Sequence, residues 1–226
     1  MGFLGTVWTI ARKDLVVEAR SRELAYTTLF FAVSVVLVFS FSFVVDGAPL
    51  TDAAAGILWV GIAFSGTLAL GRTFERERQA DTLKALLLSP VERPAIYLGK
   101  LVGVLLLMLG VELFVVPIIG LLFQAPVTRA PWLLAGLLAA GTVGFAAVGT
   151  LFAAMLMRAH SRDVLLPVLL YPITVPLVIA GVRGTASIFA VEPNLAVAQA
   201  WLSMLVFFDA VFLTLALWVF GPVMNE

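Results

Sequence analysis

Two carboxylic acids stand in the middle of long apolar stretches of this chain. Glu112 lies in "LMLGVELFVVP" and Asp209 lies in "LVFFDAVFL". A charged side chain at the centre of a bilayer costs on the order of 3 kcal/mol. Each acid is therefore expected to face a bundle interior, a water-filled cavity or a partner subunit. It could gate a transport path by ionising, or it could be a structural group hydrogen-bonded to a Ser, a Thr or the backbone.

Other kinds of reactive chemistry are excluded by the residue types. The chain has no cysteine and one histidine, His160, so it holds no disulfide framework, no thiolate metal site and no multi-histidine metal centre. His160 lies in "RAHSR", where a histidine among arginines is most often a solvated loop residue. The heme-attachment pattern C-x-x-C-H is absent as well. We therefore assign no catalytic residue, metal ligand or bound cofactor to this chain.

A short charged segment, "FERERQADTLKALLLSP" at 74–90, interrupts the apolar sequence. At the helical period of about 100° per residue, one face of this segment is apolar and comprises Ala80, Leu83, Leu86 and Leu87. Charged residues cover the opposite face. The segment is too charged to insert and too apolar on one side to stay in solution, so we expect a helix at the membrane surface. It could rest in lipid headgroups or dock into a groove on a partner protein.

The elements that carry these residues follow from composition. Of the 226 residues, 62% are hydrophobic and 12% are charged, and the mean hydropathy is +1.10. Soluble domains are about half apolar and about a quarter charged, so the sequence indicates an all-α membrane protein of one domain, 1–226. The net charge of zero gives no sign of nucleic-acid binding. A spanning helix needs roughly 20 mostly apolar residues, and six segments qualify, at 25–45, 53–71, 98–123, 132–157, 164–182 and 196–222.

The basic residues predict how these spans are oriented. Twelve of the 14 Lys and Arg residues fall before span 1, between spans 2 and 3, between spans 4 and 5, or at the adjoining span ends. Cytoplasmic loops are enriched in Lys and Arg, so both termini are predicted to lie in the cytoplasm. A five-span alternative, in which span 5 does not cross, changes only the side of Glu226 and stays open.

The N-terminal stretch 1–24 is predicted to be an amphipathic interfacial helix. Its apolar face comprises Phe3, Leu4, Val7, Trp8, Ile10 and Ala11. Thr9, Arg12 and Lys13 fall opposite, which is typical of a helix lying in the interface with its basic side in water. The charged residues of this stretch also argue against a cleavable signal peptide. A solvated leader with chance periodicity is the alternative.

Proline marks two places where the helices are expected to be interrupted. Span 5 contains Pro167, Pro172 and Pro176, and each removes a backbone hydrogen bond. We expect a bent or partly unwound segment there, which is either static or a place of movement during transport. Before span 3, "SPVERP" predicts a second break, with the next helix starting either from the Ser89 cap pattern or at Pro94.

The stretch "FERERQADTLKALLLSPVERPAIYLGKL" resembles the heme exporter protein B family, CcmB, of cytochrome c maturation. Members typically carry an "ERE" run, then "GTLE-LLLLSP", then a membrane helix with a Lys near its start. The matching residues are Glu75, Arg76, Glu77, Asp81, Thr82, Leu83, Leu86, Leu87, Leu88, Ser89 and Pro90, with Lys100 near the start of span 3. Ala80 and Lys84 stand where the family pattern has Gly and Glu. The length, the six spans and the absence of cysteine also agree.

This resemblance implies the permease subunit of an ABC-2-type transporter in the bacterial inner membrane. In such permeases the loop between spans 2 and 3 carries a coupling helix that docks on an ATPase, a role implied here for Glu75, Arg76 and the apolar face defined above. The implied partners are a CcmA-like ATPase, CcmC-like and CcmD-like membrane proteins, and a CcmE-like heme chaperone. The implied activity is heme export to the periplasm or ATP-driven release of the heme-loaded chaperone.

The sequence does not choose among all of these functions. It contains no G-x-x-x-x-G-K-[ST] motif, so ATP would be hydrolysed by another chain and this chain is not predicted to be an enzyme. A general ABC-2 exporter of another substrate, an ion-coupled secondary transporter and a non-transporting scaffold stay open. So does the choice between a homodimer and a complex of different permease chains.

Overall fold

The computed structural model describes residues 2–45, 48–49, 51–73, 92–159 and 161–223. Seven long helices make up most of these ranges: α1 (Phe3–Ser21), α2 (Glu23–Ser42), α3 (Ala54–Arg72), α4 (Arg93–Leu122), α5 (Pro131–Met155), α6 (Arg162–Phe189) and α7 (Leu195–Val223). Within the same ranges, six helices are long and apolar enough to cross a membrane, and they correspond to α2 through α7. The predicted all-α membrane fold with six spans is confirmed.

Local sequence explains where several helices begin and end. Pro94 lies in the first turn of α4, and Glu92 before it is extended (φ −63°, ψ 129°), so this helix starts at Arg93. Proline suits that position because the first N–H groups of a helix have no partner within the helix. Of the two starts considered for span 3, the later one is therefore correct. Pro131 begins α5 in the same way.

Span 1 is shorter at its end than the sequence predicted. The helix α2 ends at Ser42, and a two-residue strand β1 (Val44–Val45) pairs antiparallel with β2 (Ala48–Pro49). The predicted end at about residue 45 therefore lies three residues beyond the helix, because Val44 and Val45 pair with β2 instead of continuing it. A short 3₁₀ turn, Thr51–Ala53, then leads into α3.

Contacts between helix termini show that the spans alternate in direction. At one end of the bundle, Arg72 near the end of α3 lies 3.2 Å from Glu23 at the start of α2. At the same end, Arg93 at the start of α4 donates a 2.9 Å hydrogen bond to the Gly221 carbonyl near the end of α7. We call this the basic end, after the Lys and Arg residues that the sequence places there.

The opposite end of the bundle is closed by a different set of contacts. Thr51 donates a 3.1 Å hydrogen bond to the Phe123 carbonyl, and Arg129 donates to the carbonyls of Ile188 (3.3 Å) and Ala190 (2.5 Å). The helix α6 therefore runs from the basic end to the opposite end, and α7 returns. Because span 5 extends over the full bundle, the five-span alternative is wrong.

The helices α3 and α5 form the centre of the bundle, with the other spans around them. The helix α5 packs against α3, α4, α6 and α7. The fully buried Trp59 of α3 lies between Gly141 of α5 and Gly181 of α6, where a Cβ on either glycine would overlap the indole ring. Its Nε1 donates a 3.0 Å hydrogen bond to the buried Thr185 hydroxyl. Glycine is needed at both places because the indole occupies the space of a side chain.

Span 5 differs from its prediction in length and in regularity. It was predicted to end at residue 182, with an outer loop from 183, but α6 continues to Phe189. Arg183 is exposed and interrupted the apolar pattern, whereas Thr185 and Ile188 beyond it are fully buried and hold the helix in the bundle.

The three prolines of span 5 lie inside a helix that is unbroken. Pro167, Pro172 and Pro176 all fall within the continuous helix α6. Of the two predicted forms, bent or partly unwound, the partly unwound one is therefore wrong, since the helix continues through all three prolines. The kink assigned to these residues stays a prediction.

Candidate functional site at the basic end and in the bundle core

The predicted coupling residues lie outside the described residues, and they are Glu75, Arg76, Ala80, Leu83, Leu86 and Leu87. What the structure does describe is where the chain leaves and re-enters the bundle on either side of them. The helix α3 ends at Arg72 and α4 begins at Arg93, both at the basic end. The Lys100 ammonium donates a 3.3 Å hydrogen bond to the Thr73 carbonyl. The two chain ends that flank the segment are therefore tied together.

Lys100 also connects this junction to the N-terminal helix. Its side chain is only 2% exposed, and its Nζ lies 2.8 Å from the Asp14 carboxylate of α1. Asp14 is 27% exposed and lies 3.2 Å from Lys13 as well. A buried cation is stable only when it is paired and hydrogen-bonded. The Lys100 ammonium thus joins α1, the end of α3 and the start of α4 at one point.

The helix α1 reaches Lys100 because Gly99 lets it approach α4 closely, while Gly103 lies at ordinary contact distance from it. Gly99 and Gly103 are four residues apart on α4. A Cβ at Gly99 would lie 2.7 Å from the Ile10 Cβ, and one at Gly103 would lie 3.7 Å from the Asp14 Cβ. Small residues at this spacing allow close packing of helices. The Gly99-x-x-x-Gly103 spacing is the sequence signal from which this contact could have been found.

The apolar face predicted for α1 is divided by this packing. Ile10 and Ala11 are buried, whereas Leu4 and Trp8 are 78% and 58% exposed. The predicted apolar face is therefore covered by α4 at Ile10 and Ala11 and exposed at Leu4 and Trp8. The helix itself is present as Phe3–Ser21, and its position in the membrane interface stays a prediction.

A cavity of about 830 Å³ lies between α1, α2 and α4 at the basic end. Charged side chains from these helices and the end of α3 surround one part of it, whereas Leu107, Val111 and Phe114 of α4 line another part. Its volume is in the range of small-molecule sites, about 300–1,000 Å³. No pattern in the sequence pointed to this cavity, since its lining residues come from three separate stretches of the chain, within 13–29, 69–73 and 100–114.

Glu112 lies in the core of the bundle with a defined partner. Its side chain is 4% exposed, and its Oε1 accepts a hydrogen bond from the fully buried Thr142 hydroxyl of α5. This contact matches one of the two interpretations left open by the sequence, a structural bond to a threonine. The predicted gating role of Glu112 stays a prediction.

Asp209 is buried in a different environment. It is 8% exposed and lies against Gly144 of α5, where a Cβ would contact its Oδ1 and the Leu177 side chain. Among the described residues, that Oδ1 has no hydrogen-bond partner. An unpaired buried oxygen is costly, so a proton donor or cation supplied to this place would be stabilised. A transport role for Asp209 stays a prediction.

The two buried acids do not form one site. Their contacts on α5, Thr142 and Gly144, are two positions apart, which places them about 200° apart around a helix. Glu112 and Asp209 therefore lie on opposite sides of α5. Within the described ranges, no group of three or more His, Asp or Glu side chains could hold a metal ion. The arrangement gives two separate polar contacts in the core, not a paired acid centre.

A further buried charge was missed by the sequence interpretation. Arg162, assigned to an inner loop, is the first residue of α6 and only 4% exposed. Its Nη2 donates a 3.2 Å hydrogen bond to the Leu70 carbonyl of α3. The guanidinium thus ties α6 to α3 at the basic end, near the place where the chain leaves for the predicted coupling segment.

Comparison with known proteins agrees with this architecture. The family model described as CcmB protein matches residues 5–224. The chain is 33% identical over 140 residues to heme exporter protein B of Paracoccus denitrificans, an alignment that covers 62% of this chain and 63% of that protein. It is 31% identical over 170 residues to heme exporter protein B of Rhodobacter capsulatus, covering 74% of this chain and 77% of that protein.

A third relative is heme exporter protein B of Escherichia coli K12, which is 36% identical over 97 residues, covering 42% of this chain and 44% of that protein. The family match extends over nearly the whole chain and includes all six spanning helices. The resemblance noted in the charged segment is thereby confirmed at the level of the family. The chain is a multi-pass membrane protein that belongs to the CcmB family.

Proposed function

We propose that this chain is the permease subunit of an ABC transporter complex that acts in cytochrome c maturation. The observation that carries the proposal is the family match over residues 5–224 together with relatives named heme exporter protein B. In this proposal the complex exports heme to the periplasm or uses ATP to release a heme-loaded chaperone. The chain lies in the bacterial inner membrane with both termini in the cytoplasm.

The energy for this activity comes from a separate ATPase, a CcmA-like chain that binds ATP. The coupling contact is made by Glu75, Arg76 and the apolar face of Ala80, Leu83, Leu86 and Leu87. Two observations support this assignment. The segment leaves and re-enters the bundle at the basic end, and its flanks are held together by the contact of Lys100 with the Thr73 carbonyl. Force applied to a segment with tied ends reaches α3 and α4 together.

The remaining partners follow from the same proposal. CcmC-like and CcmD-like proteins would contact the spans in the membrane, and a CcmE-like chaperone would receive heme on the outer side. The exposed apolar side chains of α7, which include Val206, Phe207 and Trp218, could face lipid, such a partner or a second copy of this chain. Heme is the transported or transferred substrate and not a resident cofactor.

The test is to purify the tagged chain in mild detergent from its own host and to identify the proteins that accompany it. The proposal expects an ATPase and cytochrome c maturation proteins, and deletion of the chain should abolish covalent heme attachment to periplasmic c-type cytochromes. An ATPase alone, with normal cytochromes in the deletion strain, would instead indicate an exporter of another substrate. Recovery of no ATPase, with activity driven by an ion gradient, would indicate a secondary transporter.

A further inference from the structure

The cavity at the basic end has one charged part and one apolar part, as a lipid has a charged head and an apolar tail. Glu18 and Arg22 from the junction of α1 and α2 line its charged part. Leu107, Val111 and Phe114 of α4 line its apolar part. A ligand that fits both parts has a charged head and a hydrocarbon tail.

The cavity is open towards the outside of the bundle at its apolar part. Leu106 and Phe114, which line it, are 41% and 57% exposed, and both belong to a membrane-spanning helix. Their exposed faces are where lipid chains surround a spanning helix. An occupant can therefore enter sideways from the bilayer, with its tail along α4 and its head at the basic end.

The charges of the cavity specify the head of this ligand. Its lining includes four basic residues (Lys13, Arg22, Arg72 and Lys100) and three acidic ones (Asp14, Glu18 and Glu23). Three of the four cations lie within 3.2 Å of a carboxylate, since Lys13 and Lys100 contact Asp14 and Arg72 contacts Glu23. Among the described residues of the lining, Arg22 is the additional cation, and its Nε donates a 3.4 Å hydrogen bond to the Ala19 carbonyl. This excess of one cation suits the phosphate of a ligand, and the acidic residues beside it suit a cationic group on the same head.

The backbone conformation of Arg22 also indicates that its side chain binds a ligand. The residue is the single link between α1 and α2 and has φ 54° and ψ 4°, in the left-handed region. That conformation is unfavourable for a residue with a Cβ and is normally adopted by glycine. An arginine kept at a strained position, with its side chain lining the cavity, is a reason to look for a ligand of the guanidinium.

We propose that this cavity binds a phospholipid of the leaflet at the basic end. The phosphate contacts Arg22, and an acyl chain lies in the apolar part beside Gly110 and Phe114. The lipid would fill the space between the N-terminal helix and α4, next to the junction made by Lys100. The proposal is independent of which substrate the complex transports.

Two variants separate the head contact from the tail contact. Arg22→Gly removes the guanidinium and suits the left-handed backbone, so the chain should fold as before. Gly110→Trp fills the apolar part, because a Cβ at Gly110 meets nothing within 4 Å. Gly56→Trp is the matched control, since Gly56 is also helical with open space around its Cβ and does not line the cavity. Monodispersity and thermal stability are measured for all three variants.

The assay is titration of the delipidated full chain in detergent with a fluorescent phosphatidylethanolamine. Diacylglycerol carrying the same acyl chains and fluorophore is the comparison, since it lacks the phosphate. The wild type should bind the phospholipid at least about tenfold more tightly than the diacylglycerol, and Arg22→Gly should remove this preference. Gly110→Trp should lose binding of both lipids, and Gly56→Trp should bind like the wild type.

Three results would overturn the proposal. The first is equal binding of the two lipids by the wild type, which would mean that no phosphate is recognised. The second is unchanged phospholipid binding in both Arg22→Gly and Gly110→Trp, which would place any bound lipid elsewhere on the bundle. The third is tight binding of hemin that phosphatidylethanolamine does not displace and that Gly110→Trp abolishes, which would assign the cavity to the heme substrate instead.

Discussion

Replacing Thr142 by valine should destabilise the bundle by leaving the buried carboxyl group of Glu112 without its hydrogen-bond donor. Thr142 is fully buried and Glu112 is 4% exposed, so water cannot replace the lost hydroxyl. A buried polar group left unsatisfied costs about 1–3 kcal/mol. For a chain of this size, each kcal/mol shifts the melting temperature by about 2–4 °C. The expected loss is therefore about 2–12 °C.

The double variant Glu112→Met, Thr142→Val supplies the sharper test. When both polar partners are replaced by apolar groups of similar shape, the change can be nearly neutral. The double variant should therefore be more stable than Thr142→Val alone, with a coupling energy of about 0.6–1.7 kcal/mol, the average and maximum that double-mutant cycles give for hydrogen bonds between membrane helices. Thr214→Val is the matched control, because Thr214 is exposed and bonds only to the Ala210 carbonyl of its own helix.

The assay is the temperature at which each purified variant loses its monodisperse peak in size-exclusion chromatography. If Thr142→Val melts with the wild type and with Thr214→Val, the contact between α4 and α5 contributes nothing and our reasoning fails. Glu112→Gln extends the test to function, since the amide keeps an oxygen that accepts from Thr142. If Glu112 works by ionising, that variant should retain its melting temperature but lose c-type cytochrome production.

The remaining predictions concern the basic end. Leu86→Asp should weaken ATPase binding by about a hundredfold, because a carboxylate in an apolar contact costs several kcal/mol. Lys84→Ala, on the opposite face, should bind the ATPase nearly normally. Equal pull-down of the ATPase by both variants would contradict the coupling assignment. A reporter active only outside the cytoplasm should be silent after Arg78 and active after Asp52, and activity at Arg78 would reverse the orientation. Lys100→Met should weaken the packing of α1 on α4 by about 1–3 kcal/mol, because the Asp14 carboxylate loses its buried cation. The measurement is proteolysis within residues 3–21, which should become faster. Unchanged cleavage would show that α1 is held by other contacts.

The sequence alone determined the spans, their number and the family. Hydropathy depends on how each segment partitions between water and lipid, and this property belongs to the segment itself. Because hydropathy is a property of the segment alone, the largest error in a span boundary was made at the end of α6. There the exposed Arg183 suggested a loop, although Thr185 and Ile188 beyond it are buried in the bundle. The burial of Glu112 and Asp209 was also foreseeable, since an acid in lipid is costly wherever the neighbouring helices lie.

Which face of each helix meets which neighbour was decided only by the tertiary structure. In a membrane, lipid is as apolar as the bundle interior, so the apolar pattern that shows the buried face of a helix in water is missing. The sequence therefore could not pair Glu112 with Thr142, place Trp59 between Gly141 and Gly181, or bury Lys100 against Asp14. The cavity at the basic end was even less predictable from the sequence, because its lining comes from α1, α2, α4 and the end of α3. Such a site exists only once the packing of these helices is fixed, and no single segment carries its pattern.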